Sequence, residues 1–488
     1  MGTENRPNGW VACRHSAKPR VGMLAAVSRV GLAALDPPYA LSTRRALLKR
    51  SAAIAAGAFV PYLCTTSPAR AASKNDRLRL GAIGLGGQGC GDALGAMQFA
   101  DLVACCDVDR RRAEKFVRDR KVPIYEDFRS LLDRPDIDVV TIATPDHWHA
   151  AIAIRALRSG KDVYCEKPLT LTIDEGKLIC RTLRDSGRVL QVGTQQRSTA
   201  TFLKALALVR SGRLGKVARA ICSLGCGPRG GPFPAREPPP GLNWDFWLGQ
   251  APQVAYVPER CHYRFRWWLE YSGGKLTDWG AHHVDIAQWG LGQQQTGPVA
   301  IAGRGELPGG ANCYNTPVGF QCELTFADAS TIEVRHGPAN AAWFDPLPLP
   351  RSATYPDQQF SPDNGIWFEG DRGRIFVNRQ KLVGDAVDEL GKRDEGWLRD
   401  AVQSLCQGRQ PGDHMADFFQ CVRERRQPIS DAYTHHRTVS SCHLANIALR
   451  LGRKLTWDPL REDFVGDAEA SSLVSRPQRK GYRTEELT

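Results

Sequence analysis

The chain is predicted to be an α/β protein whose first domain is a doubly wound parallel sheet, and three observations predict it. Short apolar runs at Leu78–Ile83, Leu102–Cys106, Ile137–Ala143 and Asp162–Cys165 read as strands. Helical patterns separate them, as in Ala150–Ser159, which stops at Gly160. The first run enters Gly84-x-Gly86-x-x-Gly89, where glycines permit a tight turn and a close approach of backbone to a pyrophosphate, with a helix N-terminus favouring the phosphate charge. Strands alternating with helices build parallel sheets whose ligands sit beyond the carboxyl ends of the strands.

The elements follow in order. The second strand ends at Asp107, about 20 residues beyond the glycines, where an acceptor for a ribose hydroxyl belongs. An anionic Asp107 also repels a 2'-phosphate and favours NAD, whereas the adjacent Arg110, Arg111 and Arg112 keep NADP open. The third strand leads into Thr144, Pro145, Asp146 and His149, and the fourth into Glu166, Lys167 and Pro168, so these polar groups fall at the carboxyl edge. Downstream, Gly274-Gly-Lys-Leu-Thr-Asp-Trp-Gly-Ala-His-His-Val-Asp285 sets Asp278 and His282 four residues apart. On a helix they share a face, and a carboxylate can orient and charge an imidazole that takes a proton. His282 could instead be a satisfied core histidine, Lys167 a surface lysine, and His149 a residue packed beneath its loop.

In family order, the four motifs Gly84-x-Gly86-x-x-Gly89, Thr144-Pro-Asp-x-x-His149, Glu166-Lys-Pro168 and Gly274-x-x-x-Asp278-x-Gly280-x-His282-x-x-Asp285 resemble the Gfo/Idh/MocA family of sugar and cyclitol oxidoreductases. The resemblance covers residues 77 to 465. It implies a Rossmann domain followed by an α/β domain with a large open, mostly antiparallel sheet that walls a substrate cleft. It also implies a catalytic set of Lys167, Asp278 and His282, and a cofactor set of Gly84, Gly86, Gly89, Asp107, Thr144, Pro145, Asp146, His149, Glu166 and Lys167. Position 146 is usually Asn in the family. Arg197, Arg266, Trp267 and Asp285 are substrate candidates, although tryptophans such as Trp244, Trp247, Trp267 and Trp268 are more often core than sugar platform.

The expected organisation is a leader over 1–71, a cofactor domain over 77–198, a substrate domain over 199–467 and a mobile tail or arm over 468–488. Ser42-Thr-Arg-Arg-Ala-Leu-Leu-Lys49, the apolar stretch from Ala52 to Leu63 and Ala69-Arg-Ala71 resemble a twin-arginine signal with its cleavage site. That implies the twin-arginine export machinery as a partner and a periplasmic or secreted location, with no stable membrane span. Residues 1–41 fit no part of this scheme, and Met23 is an alternative start. Residues 1–71 carry +8 of the formal charge of +13, so the rest is only mildly basic and makes no case for nucleic acid. Thirteen cysteines after Ala71, scattered without CxxC pairs, form neither a disulfide framework nor a metal set.

Beyond the first domain, helices are expected at Thr172–Ser186, Thr199–Arg210, Asp413–Arg425 and Val439–Leu451, and strands at Val189–Val192, Val217–Ser223, Val318–Phe326, Thr331–Arg335 and Gly373–Val377. A Pro-rich insertion, Pro338–Gly365, is placed to cover the active site or an interface of a homo-oligomer. Three functions stay open: an NAD(P)-dependent oxidoreductase acting on a sugar, glycoside or cyclitol; a lyase or glycosidase that oxidises its sugar only transiently; and a non-catalytic NAD- or sugar-binding module.

Overall fold

A computed structural model describes residues 77–225, 227–337, 364–409 and 411–488. The leader with its twin-arginine pattern, and positions 338–363 of the insertion, lie outside the described residues.

The first domain alternates β1 (Leu78–Ile83), α1 (Gly87–Ala96), β2 (Ala100–Cys106), α2 (Arg110–Val117), β3 (Ile124–Tyr125), α3 (Phe128–Leu132), β4 (Val139–Ile142), α4 (Asp146–Arg158), β5 (Asp162–Cys165), α5 (Ile173–Ser186) and β6 (Leu190–Val192). All six strands are parallel, in the order β3-β2-β1-β4-β5-β6. The order reverses between β1 and β4, and the crevice opens there. Two helix starts differ in kind. At α5, Thr172 and Glu175 close a capping box. At α4 the helix begins at Asp146 rather than Ala150, because Pro145 supplies the extended residue ahead of the first turn. Asp146 and His149 therefore sit on a helix, not on a loop.

The second domain contributes α6 (Ala200–Arg210), β7 (Val217–Leu224), α7 (Trp244–Leu248), α8 (Lys275–Asp278), α9 (Gly280–Gly290), β8 (Ala300–Glu306), β9 (Val318–Thr325), β10 (Thr331–His336), β11 (Asn364–Gly370), β12 (Arg374–Val377), β13 (Leu382–Val383), α10 (His414–Glu424), α11 (Ala432–Leu451), β14 (Leu455–Asp458) and β15 (Asp463–Phe464). Nine strands run in the order β13-β12-β11-β7-β10-β9-β8-β14-β15, and only β7 and β10 pair in parallel. One face packs on α6, α9 and α11 through Phe202, Leu206, Ile286, Leu444 and Phe368. α11 starts at Ala432, seven residues before the expected start, because the Asp431 carboxylate caps Tyr433 and Thr434.

Two segments cross back. Met415, Phe418 and Phe419 of α10 complete the apolar face of the first sheet against Leu80, Val139 and Tyr164. The expectation of a mobile tail over 468–488 is corrected. Arg476 reaches the carbonyls of Glu270 and His147, Arg479 and Tyr482 clamp Asp245, and Leu487 is buried among the core residues of the first domain. Aromatic and arginine side chains anchor a segment that its polar composition portrays as free.

Candidate active site

The site grows from the turn after β1. Gly84 has φ +82°, and a Cβ there would lie 2.7 Å from the Ala143 backbone. A Cβ at Gly89 would lie 1.9 Å from the Gly84 carbonyl oxygen, so side chains are excluded at both positions. Packing this close brings the first turn of α1 against the ends of β1 and β4, at the floor of a cavity of about 450 Å³. Gly84, Gly86, Gly89, Asp107, Thr144, Pro145, Asp146, His149, Glu166 and Lys167 all line it.

Asp107 accepts the Leu85 N–H at 2.7 Å and the Asp109 N–H at 2.8 Å, which fixes its carboxylate at the rim. Its arginine neighbours are occupied elsewhere. Arg111 holds Asp109 through two contacts of 3.0 Å, Arg112 approaches the same carboxylate at 3.7 Å, and Arg110 pairs with Glu114. Asp109 thus draws off Arg111 and Glu114 draws off Arg110, while Arg112 still lines the cavity.

Across the crevice, His149 bridges the Pro168 carbonyl at 2.7 Å and the Thr144 carbonyl at 2.8 Å. It ties the ends of β4 and β5 into one platform, so its place at the cofactor is beneath the loops. Thr144 Oγ1 is buried with no partner among the described residues. A buried hydroxyl without a bond costs about 1–3 kcal/mol unless a ligand supplies one. The glycine cradle, the fixed Asp107 and this orphaned hydroxyl together fit a dinucleotide.

Beyond the platform lie Lys167, Asp278 and His282, and here the expected pairing is corrected. Asp278 does not bond His282. Lys167 Nζ donates to the Asp278 carboxylate at 2.7 Å and to the Asp278 carbonyl at 3.1 Å. The helix is interrupted at Trp279 between α8 and α9, and the His282 N–H bonds the Trp279 carbonyl rather than that of Asp278. Arg266 adds a second cation to Asp278 at 3.3 Å. Although burial opposes it, the charge of Lys167 and then of Arg266 holds the Asp278 carboxyl down at about 2. The buried His282 ring has no hydrogen bond among the described residues, and its Nδ1 is enclosed. Burial, then the Lys167 charge, pushes its pKa far below the usual imidazole range, so the ring is neutral.

Asp146 accepts the Ser272 hydroxyl at 2.6 Å, and burial pushes its carboxyl up to about 7 despite Ser272, Arg266 and Lys167. Glu166 accepts from Gln195 at 2.9 Å and from Gln88 at 3.4 Å, and Gln88 also reaches Asp92 at 2.9 Å.

Three of the four substrate candidates lie away from the cavity. Arg197 and Asp285 form a bidentate pair at 2.6 and 2.7 Å, closed by the Ile429 carbonyl and Thr438. At 4% and 0% side-chain exposure that pair serves the fold. Trp267 packs with Trp268, Tyr271 and Tyr314 in an aromatic core. Only Arg266 lines the cavity, with His262, Tyr263 and Phe265 of the same segment. Sequence reasoning missed Gln88, Asp92, Gln195, Ser272 and Arg379. Gln88 occupies a variable position inside the glycine motif, and the others lie outside every motif.

A switch-point crevice with a dinucleotide cradle, flanked from the second domain by α7 and by the segment from His262 to Arg266, defines a two-domain nicotinamide nucleotide-binding protein. The NAD-binding Rossmann model of the Gfo/Idh/MocA oxidoreductase family matches residues 78–194, and the model of its C-terminal alpha/beta domain matches 232–328 and 367–484. The chain belongs to this family, and its cofactor is NAD. It is similar to scyllo-inositol 2-dehydrogenase (NAD(+)) of Bacillus subtilis, at 27% identity over 47% of this chain and 58% of that protein. It is also similar to a glycosyl hydrolase family 109 protein of Shewanella putrefaciens, at 30% identity over 36% of this chain and 44% of that protein. These matches span about half the length of each relative. In fold it resembles the WlbA dehydrogenase of Bordetella pertussis, solved with NADH and UDP-GlcNAcA, with a TM-score of 0.55, 16% identity, and coverage of 78% of this chain and 99% of that one.

Proposed function

We propose that the protein is an NAD-dependent oxidoreductase acting on a secondary alcohol of a sugar, glycoside or cyclitol, with Lys167, Asp278 and His282 as its catalytic set. The observation that carries this reading is a neutral imidazole, without a hydrogen bond among the described residues, in the field of a lysine that is bound to a buried carboxylate. When bound, NAD supplies the acceptor for a hydride. Lys167 uses two N–H groups on Asp278 and keeps one for the oxygen of the reacting alcohol, whose developing negative charge it stabilises. Since Nδ1 is enclosed, the His282 ring takes the hydroxyl proton at Nε2. Asp278 acts through Lys167 rather than through His282. His149 and Glu166 position the lysine turn, while Tyr263 and Phe265 shield the cavity from water.

Single-turnover measurements on NAD-loaded protein with neutral sugars, glycosides, cyclitols and sugar acids test this. Nicotinamide reduction by one class supports the reading, and none with any class refutes it. The glycosyl hydrolase relative favours a second reading, in which transient oxidation labilises a neighbouring C–H bond for elimination and the hydride then returns. Product NMR without added cofactor separates the two. We further infer that residues 42–71 direct export by the twin-arginine route and that the chain forms a homo-oligomer. Replacing Arg44 and Arg45 with Lys tests the first through retention of precursor in the cytoplasm. Sedimentation tests the second.

A further inference from the structure

A second cavity, of about 580 Å³, adjoins the first and shares Gln88 with it. Tyr164, Gln195 and Arg379 also line it. Arg379 stands at the tip of the turn between β12 and β13. That turn is stiff: the Asn378 side chain accepts the N–H groups of Gln380 and Lys381 at 2.9 and 2.8 Å, and the Asn378 N–H bonds the Lys381 carbonyl at 2.9 Å.

The guanidinium lies over the Trp279 ring, 4.7 Å from its centroid. Trp279 separates Asp278 from His282 in sequence and stands edge-on to the His282 ring at 6.1 Å. Arg379 is thereby held above the proton-handling set, and its charge is felt at His282. Among the described residues it makes no hydrogen bond and no ion pair, whereas Arg266 and Arg197 are paired to carboxylates. Glu166 and Asp278 are the charges that favour it, but Glu166 is engaged by Gln195 and Asp278 by Lys167.

The acids around it have other partners: Asp413, which lines the same cavity, accepts the Met415 and Ala416 N–H groups. Lys167 and Arg266 meet a single carboxylate at Asp278, and Arg379 adds a further cation. Burial pushes Glu166 and Asp92 up, which weakens the negative charge they bring. The second cavity therefore offers a planar, five-donor fork with no carboxylate partner among the described residues, beside the two acids Asp92 and Asp413 that also line it.

Resting on the oxidoreductase reading above, we propose that the second cavity is the sugar subsite and that Arg379 reads a carboxylate there, making the substrate a sugar acid of the hexuronate class or its glycoside. Stacking on Trp279 aligns the fork, so a carboxylate is taken by two parallel N–H···O bonds, with the alcohol to be oxidised directed at Lys167 and His282.

Calorimetric titration of the NAD-loaded protein with glucuronate, galacturonate, the neutral parent hexoses and glucose 6-phosphate tests this. A hexuronate is expected to bind about 10- to 100-fold more tightly than its neutral parent, the range of a charge-assisted hydrogen bond. Arg379→Gln should abolish that ratio, and Arg379→Lys should restore part of it, because an ammonium keeps the charge and loses the fork. Unchanged melting temperatures check that both variants fold. No hexuronate binding, equal binding of acid and neutral sugar, a preference that survives Arg379→Gln, or an Arg379-dependent gain for the phosphate ester alone each overturns the proposal. Hexuronates that bind through Arg379 but never reduce the nicotinamide would sustain this site and refute the oxidoreductase reading. Oxidation of neutral sugars without any effect of Arg379 would do the reverse.

Discussion

At the scale of single residues, the spacing of Asp278 and His282 predicted a bond between them, and the structure gives the Asp278 carboxylate to Lys167 instead. An i, i+4 relation assumes a continuous helix, whereas the helix breaks at Trp279 and both the Asp278 carbonyl and its carboxylate bond Lys167, 111 residues upstream. No local pattern carries that information. His282→Ala is expected to slow alcohol oxidation by roughly 10²- to 10⁴-fold while leaving bound NAD in place. Loss of NAD from the purified variant would make His282 a cofactor or folding residue. Asp146 yields a prediction about pH. Its folded value of about 7 lies above the ordinary carboxyl value of 3.8. Between the two the folded chain holds a proton that the unfolded chain has released, so stability falls as pH rises through that window and levels off above it. At roughly 1.4 kcal/mol per unit, the loss has an upper bound of about 4 kcal/mol. Asp146→Asn keeps the Ser272 contact and carries no charge. Its melting temperature should match the wild type near pH 4 and exceed it increasingly toward pH 8. A constant offset across the window would mean that Asp146 titrates normally.

At the scale of elements, the first sheet was legible because each parallel strand is an apolar run with a punctuated end. Val217–Leu224, Val318–Thr325, Thr331–His336 and Arg374–Val377 were legible for similar reasons. β8 was not, since its half-exposed Ala-Gly-Arg-Gly composition lacks a strand's apolar pattern, and its pairing with β9 supplies the order. The tail failed in the opposite sense, because its polar residues bind partners more than 200 positions away. Leu487 is 2% exposed near the chain's end. Leu487→Ala should lower the unfolding free energy by about 2 kcal/mol, the low end for a buried Leu, seen as a reduced urea midpoint at constant slope. An unchanged midpoint would return the tail to the status of a loose arm.

At the scale of the whole molecule, the cofactor cavity is closed by both domains. His262, Tyr263, Phe265 and Arg266 of the second domain lie across it, and Arg266 is tethered to Asp278 and to the Tyr263 carbonyl. Cofactor release is therefore expected to move that segment and to open the partly buried Arg266–Asp278 pair. The proposed export makes the same demand, since a protein delivered folded beyond the cytoplasm meets no NAD pool and would stop after one turnover with a freely exchanging cofactor. NAD is thus expected to bind before export, to travel with the chain and to remain through many cycles. The hydride must then pass to a second substrate or return to the same sugar. Heat-denatured mature protein should release close to one nicotinamide per chain, and steady turnover should need no added NAD. Protein isolated without cofactor that works only when NAD is supplied would overturn the closed cycle, leave a conventional dehydrogenase, and remove the main functional reason for pairing this cavity with an export signal.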